Sequence, residues 1–402
     1  MDNTTNQPVI CQYLSHLPFE NLPMYLYDYR MKKLKTADCI RLFVASYLLE
    51  HASSRDIEKA LRAEESLQEM LNVKSMSHSQ LTRRLPTLPT EVLERLLIRV
   101  CGRIRQLTKA EQGLPKLGKL HIVDSTSLLI PAGLGQWAKV SKHQTMVKMH
   151  LRLVVDSPHV LVPEAIIPTT GNVNDGTVVM ELVVAKDVLY VMDRGYVNYR
   201  HMDEWIRQEF QYIIRINDNH QGNLLETYPV PPGTSIVRDA KIWLGSKFRS
   251  MKNPVRLVEY LDDKGHLYRV VTNRYDLTAE EVAAAYRKRW IIELFFKWLK
   301  QRAALVKLYS YKPQALWNTM YLCLLAYSLM ILIKLLEISE QKEREVWRTL
   351  QHFAYKSWQA FQAELHRKPT RTSQGRKASK EEPEPESFYP TIGVYKPHNY
   401  HQ

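Results

Sequence analysis

The sequence places one carboxylate, two cations and a tyrosine at fixed spacing in the run AAAYRKRWIIELFFKWLKQ. Drawn as a helix with about 100° per residue, Tyr286, Arg289, Glu293 and Lys300 fall on one narrow stripe. The rest of this predicted helix is apolar nearly all round, which is typical of a buried helix. Buried charges are costly unless they meet a counter-charge, a metal or a phosphate. The stripe therefore predicts a ligand or a counter-charge beside it.

Two aspartates follow predicted strands in the middle of the chain. Asp124 ends the first strand, in HIVDST, and Asp193 ends another, in LYVMDRGY, where Gly195 supplies a tight turn. Sites in open α/β sheets gather at the carboxyl ends of strands, so these aspartates and Glu293 can converge. Carboxylate oxygens suit Mg²⁺ or Mn²⁺. Two such ions about 4 Å apart can promote an in-line phosphoryl transfer.

Each of these residues also has a purely structural interpretation. An aspartate after a strand is usually a turn or cap residue. Glu293 can form an ion pair with Arg289 or Lys297, and the cations can occupy an exposed face if the helix is less buried than its composition indicates. The conjunction of three acids with a cationic stripe favours the functional interpretation.

Composition bounds the class of protein. The 402 residues carry a net charge of +14 and a pI near 9.4, which favours a polyanion as partner. The four cysteines are far apart, so neither a zinc site nor a disulfide framework is expected and each is interpreted as a buried thiol. The N-terminus lacks the pattern of a signal peptide. The apolar run at 316–336 contains polar residues and is interpreted as a core helix, so we expect an intracellular protein.

The predicted secondary structure changes along the chain from helices to strands with helices, which predicts an α/β protein. Helical, charged patterns precede a linker at 108–118, and short Val/Ile-rich strand candidates follow. The predicted organisation comprises a helical N-terminal domain (1–110), the first part of a core (119–216), a β-rich insertion (217–277), the second part of the core with the Glu293 helix (278–345) and a disordered tail (366–402).

The motifs described above resemble those of a known family. The spacing Tyr286-x2-Arg289-x3-Glu293-x6-Lys300 matches the Y-x2-R-x3-E-x6-K signature of DDE transposases of the insertion-sequence-4 family. Asp193-Arg194-Gly195-Tyr196 resembles the second-aspartate motif of that family, and Asp124-Ser125-Thr126 resembles the first. The resemblance covers about 119–336, in the order of the family.

The resemblance implies a fold and a chemistry. The core would be RNase H-like, and Asp124, Asp193 and Glu293 would hold two Mg²⁺ or Mn²⁺ ions. Water would cleave the phosphodiester at the element's end, and the freed 3′-hydroxyl would attack target DNA. Tyr286, Arg289 and Lys300 would contact phosphates near the cleaved end. Partners would be the terminal inverted repeats and target DNA, handled by a homodimer on paired ends, in the bacterial cytoplasm at the nucleoid and without a membrane.

Further DNA contacts are predicted less directly. Arg194 can touch substrate or anchor the end of its strand. Trp243 is the candidate for an aromatic platform that stacks a flipped base, or else a half-buried strand tryptophan. Arg83 and Arg84 lie on a short helix that can enter a major groove, or else form a solvated face.

Three other polar side chains are interpreted structurally. Asp175, in GNVNDGT, is expected to cap a helix rather than to act as a fourth ligand. His121 and His150, on predicted strands, are expected in the core or as supports of the ligands.

Three functions remain open on the sequence alone. The first is a transposase that cuts and joins DNA, and the second is an RNase H-like nuclease that cuts without strand transfer. The third is a domesticated DNA-binding protein without catalysis, although a binding role gives no reason to keep buried carboxylates.

Overall fold

The computed structural model describes residues 6–29, 31, 33–108, 117–157, 160–246, 249–303 and 305–367. The chain divides into two compact units, 1–107 with 297–402, and 108–296. Residues 109–116 of the predicted linker and the predicted tail from 368 onward lie outside the described residues. The sequence assigned 278–345 to the core, whereas this division groups residues from 297 onward with the N-terminal helices. The predicted domain boundaries therefore stay a prediction.

The N-terminal part of the first unit is helical throughout its described residues. Ser53 and Ser77 accept hydrogen bonds from the backbone N–H groups of Asp56 and Gln80, and so cap two of these helices. The last of them buries an apolar face that includes Leu93, Leu96, Leu97, Val100 and Ile104. The helices are α1 (Val9–Ser15), α2 (Met24–Tyr27), α3 (Thr36–Leu48), α4 (Ser54–Ala63), α5 (Glu65–Leu71), α6 (His78–Arg84) and α7 (Thr90–Leu107).

The second unit is built on one nine-stranded sheet, which confirms the α/β class. Its elements are β1 (Leu120–Leu129), β2 (Met146–Ser157), β3 (Val160–Thr170), α8 (Asp175–Leu182), β4 (Leu189–Met192), α9 (Tyr199–Arg207), β5 (Gln211–Arg215), β6 (Gly222–Thr227), β7 (Ile236–Leu244), β8 (Val255–Leu261), β9 (Leu267–Thr272) and α10 (Ala279–Arg287). The strand order is β3-β2-β1-β4-β5-β9-β8-β7-β6. Strands β1, β4 and β5 are parallel, and the other pairings are antiparallel. The β-rich segment at 217–277 extends this sheet because β9 pairs with β5.

The central strands are buried because they are covered on both faces. All four residues of β4 are buried, and their sequence LYVM is a continuous apolar run, as expected for an inner parallel strand. Helix α8 packs against β1, β2 and β3. The buried strand β4 ends at Met192, directly before Asp193.

The helix predicted to carry all four residues of the stripe is two helices in the structure. Thr278 and Glu281 form a capping box that starts α10, and α10 ends at Arg287. A second helix, α11 (Trp290–Gln301), begins three residues later. Between them the N–H groups of Arg289 and Ile292 donate to carbonyl groups three residues back, which tightens the turn. The prediction of one continuous helix was wrong, and no glycine or proline marks the break.

Within the described residues, three further helices belong to the first unit: α12 (Pro313–Leu336), α13 (Glu343–His352) and α14 (Trp358–Leu365). Helix α12 is long and apolar enough to cross a membrane, but 83% of its most apolar window is buried inside the protein. The Asn318 side chain donates to the carbonyl groups of Leu85 and Leu88 and accepts from Thr90. Burial of most of the helix, with the Asn318 amide hydrogen-bonded, is the packing of a core helix.

The cysteines are free thiols. Cys39, Cys101 and Cys323 are buried, as the sequence predicted, but Cys11 is only partly buried. Its thiol lies 3.6 Å from the Ser66 carbonyl oxygen, on the surface of a helix pair rather than in the core.

Candidate active site

The two aspartates lie side by side at the end of the parallel pairing between β1 and β4. The last parallel pair joins Val123 to Met192, and Asp124 and Asp193 are the next residue on each strand. Asp193 ends β4 as predicted, and a short 3₁₀ turn over Arg194–Tyr196 follows it. Asp124 does not end its strand, because β1 continues to Leu129 through antiparallel pairing with β2. The convergence of the aspartates is thus built into the register of the sheet.

The tightened turn between α10 and α11 directs two side chains toward the acids. Arg289 donates from Nη1 to Oδ2 of Asp124 at 2.9 Å and from Nη2 to the Glu293 carboxylate. The Tyr286 hydroxyl donates to Oδ1 of Asp193, with an O···O distance of 3.2 Å. Arg289 thus joins Asp124 to Glu293, and its guanidinium carbon lies 5.9 Å from the ring of Tyr286, which binds Asp193.

The electrostatics of Asp124 show that this cluster requires positive charge. The pKa of Asp124 is raised from 3.8 to about 6, chiefly by burial and also by the Asp193 and Glu293 carboxylates. The Arg289 guanidinium and the Ser125 N–H lower the pKa of the same carboxyl. Three carboxylates within reach of one another repel, and Arg289, whose side chain is only 12% exposed, offsets part of that repulsion.

Asp124, Asp193 and Glu293 are all carboxylates, the type of ligand that a hard divalent cation prefers. Within the described ranges, no three His, Cys, Asp or Glu side chains stand close enough together to hold a metal ion as they are. Asp124 and Glu293 share the Arg289 guanidinium instead. A metal shared by these carboxylates therefore requires the guanidinium to move away from them.

Lys300 lies on α11 two turns beyond Glu293, and no hydrogen bond or ion pair joins it to the acids among the described residues. It is half-buried, and burial lowers the pKa of its ammonium group. Its role as a phosphate contact stays a prediction.

The other predicted DNA contacts lie away from the three acids or are engaged elsewhere. Arg194 is exposed beside Asp193, and its Nη1 donates to Asn217 at 3.2 Å. Trp243 lies on β7 and is 36% exposed, and its indole N–H donates to the Met251 carbonyl at 2.7 Å. The ring is thus fixed at its polar edge while part of its surface faces solvent.

The two arginines of α6 differ from each other. Arg83 is exposed and its Nε donates to the Ser79 carbonyl. The Arg84 side chain is only 14% exposed, and it donates to the hydroxyls of Thr36 and Thr87. Arg84 thus joins α6 to α3, and only Arg83 presents its side chain to solvent.

Sequence reasoning missed a basic and aromatic group next to Tyr286. The Arg215 guanidinium stacks over the Tyr268 ring, 4.5 Å from its centroid, and the Tyr268 and Tyr286 rings are 6.3 Å apart. Tyr260 stacks on Tyr268 from the neighbouring strand. The arginine at the end of QYIIRI was the available signal, because β5 runs parallel to β4 and ends at the same edge.

Asp175 is not the cap residue that the sequence indicated. The Asn174 side chain caps α8 by accepting from the Gly176 N–H, and Asp175 is the first residue of the helix. Its carboxylate instead accepts from Lys148 and Ser125. His121 and His150 are both buried, at 1% and 0% exposure.

Comparison with known proteins decides the family. Residues 116–329, more than half of the chain, match the family described as the transposase DDE domain. The chain belongs to the DDE transposase family. The match spans the strands that carry Asp124 and Asp193, helix α11 with Glu293, and most of α12.

Three curated relatives are named as transposases. One from Geobacillus stearothermophilus, named for the insertion sequence element IS5377, is 30% identical over 256 residues, which cover 63% of this chain and 66% of the relative. One from Sinorhizobium fredii is 27% identical over 52% of this chain and 60% of the relative. One from Synechocystis, named for the element IS4SA, is 26% identical over 56% of this chain and 63% of the relative. The matched regions span less than two thirds of each relative.

Proposed function

We propose that this DDE transposase cleaves the ends of its insertion sequence and joins them to target DNA by metal-dependent phosphoryl transfer. The observation that carries the proposal is the adjacency of Asp124 and Asp193 at the end of one parallel strand pair, with Glu293 held to Asp124 through Arg289. A sheet in which the parallel pairing of β1 and β4 stops directly before Asp124 and Asp193 supports an RNase H-like core. The relatives named as transposases support the same activity.

Asp124, Asp193 and Glu293 would hold two Mg²⁺ or Mn²⁺ ions. Bound there, the ions would supply charge neutralisation and an activated water or hydroxyl at the scissile phosphodiester. Tyr286 would keep Asp193 oriented through its hydroxyl, and the register of β1 and β4 would fix the spacing of the two aspartates. Asp124 must be ionised to act as a ligand, which its pKa of about 6 permits at neutral pH.

Arg289 would have two positions. In one position, the one in the structure, its guanidinium forms ion pairs with Asp124 and Glu293. A guanidinium can also bind a phosphate through two parallel hydrogen bonds. We propose that Arg289 moves from the carboxylates to a phosphate near the cleaved end, where Tyr286 and Lys300 supply further contacts.

The remaining DNA contacts are proposals of the same kind. Arg194 is placed to touch substrate beside Asp193, and Trp243 can stack a base through its exposed face. Arg83 and its helix α6 would contact the inverted repeats, whereas Arg84 would support that helix from beneath. The functional complex would contain two copies of the protein on paired ends, in the bacterial cytoplasm.

A supercoiled plasmid bearing the element's ends distinguishes this function from the alternatives. Mg²⁺-dependent excision with joined products supports the transposase. Cutting without joining would indicate a nuclease, and retention of the DNA without cutting would indicate a binding protein. Either of the last two outcomes would contradict the proposal.

Replacement of Glu293 tests the site within that assay. Glu293→Gln should abolish cleavage, because one metal-binding charge is lost, while binding of the ends persists. Glu280→Gln on the preceding helix is the matched control and should cleave like the wild type. Cleavage by Glu293→Gln near the wild-type rate would remove Glu293 from the site.

A further inference from the structure

Asp175 lies outside the proposed metal ligands, yet it contacts both segments that carry the aspartates. Its Oδ1 accepts from the Ser125 hydroxyl at 3.3 Å and from the Lys148 ammonium group at 3.1 Å. The buried His150 ring is 3.4 Å from the same oxygen. Lys148 also donates to the carbonyl of Val173 at 3.1 Å, so it fixes the chain just before α8.

The Asp175 contact with β1 acts on the neighbour of a proposed ligand. Ser125 follows Asp124 on the strand, and successive side chains of a strand point to opposite faces. A hydrogen bond that holds Ser125 on the α8 side therefore directs Asp124 to the other face. Ser125 also donates its backbone N–H to Oδ1 of Asp124 at 2.8 Å.

The second oxygen of Asp175 lies against the turn after β4. A Cβ atom added at Gly195 would be 2.9 Å from Asp175 Oδ2, closer than real Cβ contacts allow. Gly195 is two residues after Asp193, in the 3₁₀ turn that begins there. The absence of a side chain at 195 is what lets this turn approach the carboxylate.

The buried Tyr196 hydroxyl lies within electrostatic reach of Asp124, Asp175 and Asp193. Burial raises the pKa of the Tyr196 hydroxyl, and Asp124, Asp175 and Asp193 raise it further. Asp175 is thus part of the same electrostatic neighbourhood, although it is bound by Lys148 rather than by Arg289.

We infer that Asp175 is a positioning residue that, held by Lys148, joins the end of the β1–β4 parallel pair to the turn after β4 and so sets the separation of the Asp124 and Asp193 carboxylates. The inference rests on the proposed function, because it concerns the geometry of the proposed metal ligands. Residues that orient metal ligands typically change metal affinity by about 10- to 100-fold when they are removed.

Titration of the full-length protein with Mn²⁺, followed by calorimetry in the absence of DNA, tests this role. Asp175→Ala should raise the Kd for Mn²⁺ by about 10-fold or more. Asp175→Asn keeps the size of the side chain and should lose less. Glu181→Ala removes an exposed acid from the same helix and is the matched control, with an unchanged Kd expected.

The outcomes separate the inference from the proposed function. A wild-type protein that binds no Mn²⁺ would overturn the proposed function and the inference with it. Wild-type binding that is equally tight in Asp175→Ala would overturn the inference alone. An equal loss in Glu181→Ala would also overturn it, because the effect would then be one of general charge.

A double-mutant cycle tests the contact itself without metal. Gly195→Ala should lower the melting temperature of the wild type, because the new methyl group meets a carboxylate that Ser125 and Lys148 hold in place. The same substitution should lower it less in the Asp175→Ala background, where the obstructing oxygens are gone. Equal losses in both backgrounds would show that Asp175 is not fixed against the turn, and would contradict the inference.

Discussion

Arg289 is the residue on which the charge balance of the site depends. Its guanidinium donates to Asp124 and Glu293, which come from a strand and a helix far apart in the sequence. The sequence left two roles open for this arginine, an ion pair with Glu293 or a phosphate contact. The structure shows the ion pair and adds Asp124 as a second partner. That addition was not predictable, because it depends on where the turn before α11 lies relative to β1.

Removal of Arg289 should affect metal and DNA binding in opposite directions. In Arg289→Ala the guanidinium no longer competes for Asp124 and Glu293, and we expect the Kd for Mn²⁺ to fall by about tenfold, the equivalent of one charged hydrogen bond. Binding of the element's ends should weaken because a phosphate contact is lost. Calorimetry with Mn²⁺ and a gel-shift titration with end DNA measure the two effects. Weaker Mn²⁺ binding in Arg289→Ala would contradict the competition.

The raised pKa of Asp124 should make stability depend on pH. The pKa of Asp124 is about 6 in the folded protein and 3.8 in an unfolded chain. Ionisation of this carboxyl therefore destabilises the folded state. The loss of folding free energy is absent below about pH 4 and grows as the pH rises from 4 to 6. Above pH 6 it reaches its full value, at most about 3 kcal/mol. Asp124→Asn removes this titration. Urea unfolding at pH 4.5 and pH 7.5 should show a smaller loss of stability with rising pH in Asp124→Asn than in the wild type. Equal changes in the two proteins would show that Asp124 does not titrate in this range.

At the level of elements, patterns of a few residues predicted most of what positions the site. Short Val/Ile-rich runs predicted β1 to β5, including the edge strand β3, because such runs are typical of strands. The end of β4 followed from Asp193 and Gly195, whereas Asp124 does not mark the end of β1, which continues to Leu129. The break between α10 and α11 escaped prediction because its residues are all compatible with a helix, and only the tertiary contacts of Tyr286 and Arg289 account for it. The contacts of Asp175 escaped for the same reason, since Lys148 precedes it by a full strand and a hairpin.

Helix α11 carries two lysines that make a matched pair for testing DNA contact. Lys300 is half-buried on the predicted stripe, whereas Lys297 is exposed at the edge of that stripe, one turn after Glu293. Lys300→Ala should weaken binding of the ends and reduce the slope of log K against log salt by about one, because one phosphate contact releases about one counterion. Lys297→Ala should leave that slope unchanged. An equal change in the two variants would show that the effect belongs to overall charge rather than to the stripe.

The whole molecule carries a net charge of +14, which favours association with DNA before any specific contact forms. The basic composition predicted a polyanion as partner, and the motifs predicted the family. Neither predicts how many copies of the protein act together. Transposition must handle two ends at once, which favours an assembly of two copies on DNA.

The proposed assembly can be measured directly. With a duplex of one element end, analytical ultracentrifugation should show a complex of two protein copies and two duplexes. A duplex of the same length with scrambled sequence is the control and should not give this complex. A single copy on each specific duplex, at all concentrations that bind, would contradict the paired-end assembly.

The salt bridges of Arg289 also affect the stability of the folded protein at low magnesium concentration. Because an internal guanidinium already balances Asp124 and Glu293, the fold does not depend on an outside ion to relieve their repulsion. We therefore expect that EDTA leaves the melting temperature of the wild type nearly unchanged, whereas Arg289→Ala becomes more stable when Mg²⁺ is restored. With the proposed function, shortage of the ion would stop catalysis while the protein stays folded and resistant to proteolysis.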